Sequence, residues 1–206
     1  MRLEEWFSIY RKLKLNKDMR KIIKGDVNLA NLHLTELFDL SDVEVTGFFH
    51  CNNNYLTSLK GAPKTVGVGG LYCFDNHLTS LAGAPQTVGG DFYCNKNDLT
   101  SLVGGPQTVK PGWGYYCHTN NLTSLEGAPK IISGIFHCHK NNLTSLKGAP
   151  RHVNSDFACS SNPLTSLEGI PKTVGRDFYI SKELKDKFPE ECIRSMCKIA
   201  GKVRYI

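Results

Sequence analysis

The side chains with the most versatile chemistry in this chain of 206 residues are its eight cysteines and seven histidines. Six cysteines, Cys51, Cys73, Cys94, Cys117, Cys138 and Cys159, recur every 21 to 23 residues. None stands in a Cys-x-x-Cys pair, so a cysteine-based zinc site is disfavoured. Cys192 or Cys197 as a nucleophile would need an oriented base, and none is readable, so no catalytic residue is assigned. Regular spacing points to a column of reduced thiols, because a free cysteine packs as a small hydrophobe. His118, His137 and His139 could present three imidazoles to zinc. Only Asp91 and Asp156 lie near enough in the pattern to orient them, and no metal or cofactor is assigned. These imidazoles titrate near neutrality, so partner affinity is expected to vary between about pH 5.5 and 8.

The cysteines belong to a repeat. Leu-Thr-Ser-Leu begins at Leu56, Leu78, Leu99, Leu122, Leu143 and Leu164. Two residues before each stands an asparagine, Asn54, Asn76, Asn97, Asn120, Asn141 or Asn162, and five before it a cysteine. After each comes Gly-x-Pro and then a Val or Ile: Val66, Val88, Val109, Ile132, Val153 and Val174. A degenerate copy spans Gly25 to Leu37, and another strand starts at Asp177. Eight strand positions result, at Leu29, the six cysteines and Ile180, spaced 22, 22, 21, 23, 21, 21 and 21 residues apart.

This pattern resembles the leucine-rich repeat family, whose consensus shares the leucine spacing and the Asn/Cys position. It is similar to the short repeats of secreted bacterial effectors, and to Gly-Ala-Pro repeats in phage-encoded proteins. The resemblance covers about residues 25–180. It implies a parallel-sheet solenoid that binds a partner, usually a protein.

Each repeat supplies one short strand and a return, and only stacking buries its apolar side. Strand alternation sends Val27, Phe49, Leu71, Phe92, Tyr115, Phe136, Phe157 and Phe178 inward with the cysteines. Proline after Gly-Ala bars a helical return and predicts an extended, polyproline-like one. The asparagine is expected to turn the chain and satisfy backbone groups of its own and the next coil.

The outward positions carry residues that the repeat does not need. The column inside the strands reads Asn28, His50, Tyr72, Tyr93, Tyr116, His137, Ala158 and Tyr179, and the next includes Phe74, His118 and His139. Phe48 adds a ring one position before the inward column. Lys110-Pro111-Gly112-Trp113 inserts residues before Tyr115, which offers Trp113 as a loop contact. Exposed aromatics mark interaction surfaces. Phe48, His50, Tyr72, Phe74, Tyr93, Trp113, Tyr116, His118, His137, His139 and Tyr179 are therefore the candidate partner-binding residues.

The ends read as helical caps, at residues 1–24 and 181–206. Leu3, Trp6, Phe7, Tyr10 and Leu13 recur at helical spacing, and a second short helix is expected to reach Ile23. Leu184, Phe188, Cys192, Ile193, Met196 and Ile199 do likewise to about Ala200, with Val203–Ile206 as a possible edge strand. The net charge of +6 divides as +5 in residues 1–24, −2 in 25–175 and +3 in 176–206. The array thus lacks the basic stripe that a nucleic-acid groove needs. No run approaches the ~18–20 apolar residues of a membrane span, and no Sec-type leader is readable. The expectation is a monomeric, non-enzymatic, cytoplasmic protein-binding scaffold, an effector or inhibitor acting on a host protein. The alternative is a protein that sequesters a nucleotide-like small molecule.

Overall fold

Two-residue alternation in a repeat of about 21 residues leaves room for one strand, a turn and an extended return per coil. The computed structural model of the protein describes residues 21–206. It is a parallel β-solenoid. Nine strands, from Val27–Asn28 through Phe92–Tyr93 and Phe178–Ile180 to Val203–Tyr205, form the first sheet in register. The inward residues of its first eight strands are fully buried, as are all six repeat cysteines. Burial raises the pKa of these thiols, so they stay protonated. Several donate weakly to the next coil, as Cys73 Sγ does to the Tyr93 carbonyl at 3.2 Å.

The returns are extended, but they are not isolated polyproline segments. The Val/Ile positions pair into further parallel β-structure. Lys21–Ile23, Val43–Val45, Thr65–Val66, Thr87–Val88 and Thr108–Val109 form one row, and Ile131–Ile132, His152–Val153, Thr173–Val174 and Lys198–Ile199 a second. The row is interrupted in the coil that carries the insertion. There Lys110–Trp113 makes a tight turn, with the Trp113 N–H donating to the Lys110 carbonyl at 3.2 Å and Gly112 at φ 91°. Pro111 and Gly112 suit the two central positions of a type II turn.

The asparagines form a buried ladder. Asn120 Nδ2 donates to the Cys117 carbonyl of its own coil at 3.1 Å and to that of Cys94 at 3.0 Å, while its Oδ1 accepts from Leu99 N–H at 3.1 Å. The second coil served is the preceding one, not the following one as expected. The same direction holds at Asn97, whose Nδ2 donates to the Cys73 carbonyl of the preceding coil at 3.1 Å.

Both caps need correction. Residues 1–20 of the expected N-terminal cap lie outside the described residues. Lys21–Ile23 is a strand paired with Val43–Val45, so no helix reaches Ile23. β-branched Ile22 and Ile23 favour that pairing. At the other end, helix is limited to a 3-10 turn at Lys182–Leu184 and to Glu190–Met196, where Ile193 is fully buried. Ile199, expected on the helix, lies instead in Lys198–Ile199 against Thr173–Val174, and Val203–Tyr205 pairs with Phe178–Ile180. The open edges of both sheets offer unmade backbone bonds, and satisfying them outweighs helical periodicity. The expected edge strand is present, and the C-terminal segment is one more coil.

Candidate functional site

Because all first-sheet strands are parallel and in register, equivalent outward side chains stack in straight rows. One row begins at His50 and runs through Tyr72, Tyr93 and Tyr116 to His137. The centroid separations are 4.8 Å for His50–Tyr72, 4.8 Å for Tyr72–Tyr93, 4.1 Å for Tyr93–Tyr116 and 5.5 Å for Tyr116–His137. The Tyr93 and Tyr116 rings are parallel to within 1°. Phe48 stacks on His50, and Phe74 meets both Tyr72 and Tyr93 edge-on. These rings are half-buried against one another and present a continuous aromatic surface. Burial, and then neighbouring Tyr116, push the Tyr93 hydroxyl pKa upward, so it remains a neutral hydrogen-bonding group.

The second outward row holds His118 and His139, stacked at 4.3 Å, with His137 edge-on to His139 at 5.5 Å. Burial, followed by the neighbouring imidazole of His137, pulls the His118 pKa down to about 4. Burial, followed by His118, pulls His139 down to about 4 as well, and burial also lowers His137. Burial thus favours the neutral form of all three imidazoles, which works against the change of affinity expected between about pH 5.5 and 8. Among the described residues no group of three or more His, Cys, Asp or Glu is placed to hold a metal.

The structure brings nine of the predicted residues into one surface, from Phe48 to His139. Two stand apart. Trp113 is 40% exposed on its turn, ahead of the strand rather than on the sheet face. Tyr179 is separated from His137 by buried Ala158. That gap is a cavity of about 260 Å³ lined by His137, His139, Asp156, Ala158, Ser160, Tyr179 and Ile206. On its far side Tyr179 carries Arg204, whose guanidinium lies 6.0 Å from the ring centroid.

Asp156 has a structural task as well. Its Oδ1 accepts the Asp177 N–H at 2.9 Å, one coil on. Asp26, Asp91 and Asp177 do the same for Phe48, Gly114 and Lys202, at 2.8, 2.6 and 2.8 Å. A second cluster went unrecognised in the sequence. Tyr55, 50% exposed, lies between His33 and His77, with centroids 5.7 and 6.2 Å away. Tyr55 and His77 occupy the slot between asparagine and Leu-Thr-Ser-Leu, and His33 holds the same slot in the degenerate copy, after Leu32. Their ring character in successive coils was the available signal.

No protein-family model matches the sequence, and no curated protein matches it. Among solved structures, YopM from Yersinia enterocolitica WA-314 is similar, with 18% identity, a TM-score of 0.42, and alignment over 87% of this chain and 47% of that one. The chain thus spans about half the length of that protein. No helix among the described residues is long and apolar enough to cross a membrane.

Proposed function

We propose that this protein is a binding scaffold that acts by occupancy, engaging a protein partner through the outward face of its first sheet. The observation that carries the reading is the unbroken ring row from His50 to His137, assembled by register rather than required by the repeat. Tyrosine supplies large contact area at low entropic cost, and central aromatic residues dominate protein interfaces. The face needs no chemistry of its own: the thiols are buried and protonated, and burial favours the neutral forms of His118, His137 and His139. The repeat's resemblance to those of bacterial effectors makes an effector or inhibitor of a host protein the specific role we favour. A reducing, cytoplasmic setting agrees with six stacked free thiols.

The test is affinity capture from candidate host lysates, comparing the wild type with a combined Tyr93→Ala, Tyr116→Ala, His137→Ala variant whose fold is checked by circular dichroism. One protein retained by the wild type at high salt and lost by the variant supports the reading. Capture of nucleic acid that disappears with salt, or a small molecule seen by native mass spectrometry in place of a protein, replaces it.

A further inference from the structure

We propose that the notch at Ala158 seats a single arginine side chain of the partner, inserted between His137 and Tyr179 and paired with Asp156. This rests on the reading of the sheet face as a protein-binding surface, and it assigns the chemistry of one point on that surface.

The geometry comes from one missing ring. His137, Ala158 and Tyr179 are consecutive partners in the sheet. Two strand spacings separate the backbones that carry the flanking rings, about 9.6 Å. A planar group in contact with a ring on each side needs about 7–8 Å. The opening therefore admits one flat side chain and no more. Its volume of about 260 Å³ falls below the ~300–1,000 Å³ of pockets that enclose drug-sized ligands, which favours a side chain over a nucleotide-like molecule.

The chemistry of the lining selects the occupant. Asp156 contributes a carboxylate to the notch and makes no ion pair among the described residues. An aromatic or aliphatic side chain pressed into the opening would strip water from that carboxylate without replacing it, which is costly. A cation removes the cost. Lysine offers a point charge, whereas guanidinium is planar, stacks on aromatic rings and donates in a fork to carboxylate. Tyr179 already accepts one guanidinium on its opposite face, that of Arg204, and the Arg204 charge is offset by its ion pair with Asp177. Burial favours the neutral forms of His137 and His139, which do not repel an incoming cation.

The experiment is methyl NMR of alanine- and isoleucine-labelled protein titrated with N-acetylarginine amide, and separately with the lysine and tyrosine analogues. The expected result is a saturable shift of the Ala158 methyl and of the Ile206 methyls, which also line the notch, with the arginine probe, stronger than with either analogue. Asp156→Asn should weaken it about tenfold. Ala158→Tyr, its fold verified by circular dichroism, should abolish the Ile206 response by filling the opening. No saturable shift with the arginine probe overturns the proposal, as does equal seating of the tyrosine probe or survival of the response in Ala158→Tyr. Partner capture separates this failure from failure of the wider reading. If Ala158→Tyr retains the partner fully while the Tyr93, Tyr116, His137 variant loses it, the notch assignment falls and the binding face stands.

Discussion

The two sides of the solenoid are built from the same element and decorated differently. Both are parallel β-structure, and both turn one row of residues outward. On the second side that row reads Thr65, Thr87 and Thr108, then Ile131, His152 and Thr173. On the first it reads His50, Tyr72, Tyr93, Tyr116 and His137. Strand propensity is met by threonine as well as by tyrosine. The rings of the first side therefore answer to something other than the sheet. Continuity differs too: the second side is interrupted at the Lys110–Trp113 coil, whereas the first runs through nine strands without a gap.

The largest expected effect concerns what holds the first side straight. Asn120→Ala removes the partners of two buried carbonyls and one N–H. At about 1–3 kcal/mol per unpaired group, chemical denaturation should show a loss of several kcal/mol, with the array failing to unfold as one unit. Thr108→Ala on the second side should stay within about 0.5 kcal/mol of wild type. Equal losses would erase the contrast.

A smaller effect follows from the imidazoles. His118 and His139 are held near 4 in the fold, against about 6.5 in an unfolded chain. The unfolded state then binds more protons across that window. Stability is full above about pH 6.5 and is lost as pH falls toward 4. The melting temperature should drop measurably between about pH 7 and 4.5, and a His118→Gln, His139→Gln variant should flatten the curve. A wild-type curve already flat over that range would contradict the neutral, stacked pair.

The smallest effect lies beneath the face. Tyr115 replaces the phenylalanine or leucine of neighbouring coils, and its buried hydroxyl has no hydrogen-bond partner. The repeat's alanine is glycine at Gly105, where an added Cβ would sit 2.9 Å from that hydroxyl. Tyr115→Phe should stabilise the protein by about 1 kcal/mol in denaturant unfolding and leave partner capture unchanged.

What the sequence made legible was whatever repeats. The inward columns, the asparagine ladder and the outward row follow from counting, because an in-phase residue must meet its copy one coil away. What it concealed was of three kinds. Backbone pairing at the ends overrode helical spacing at Ile23 and Ile199. In three of the six repeats the left-handed position before the asparagine is occupied by Lys96, Thr119 and Lys140 at φ 52 to 56°, residue types that give no such signal. The notch at Ala158 is an absence in a column, visible only once its neighbours stand on either side.

The most direct measurement of the central claim exchanges the decoration of the two sides. A variant with Tyr72→Thr, Tyr93→Thr and Tyr116→Thr gives the first side the threonines of the second. A control carries Thr65→Ala, Thr87→Ala and Thr108→Ala. Both are compared with wild type for partner capture after their folds are verified. The outward face of the first sheet is the binding surface if the tyrosine variant folds and loses the partner while the control keeps it. A folded tyrosine variant that captures the partner as well as wild type contradicts the account.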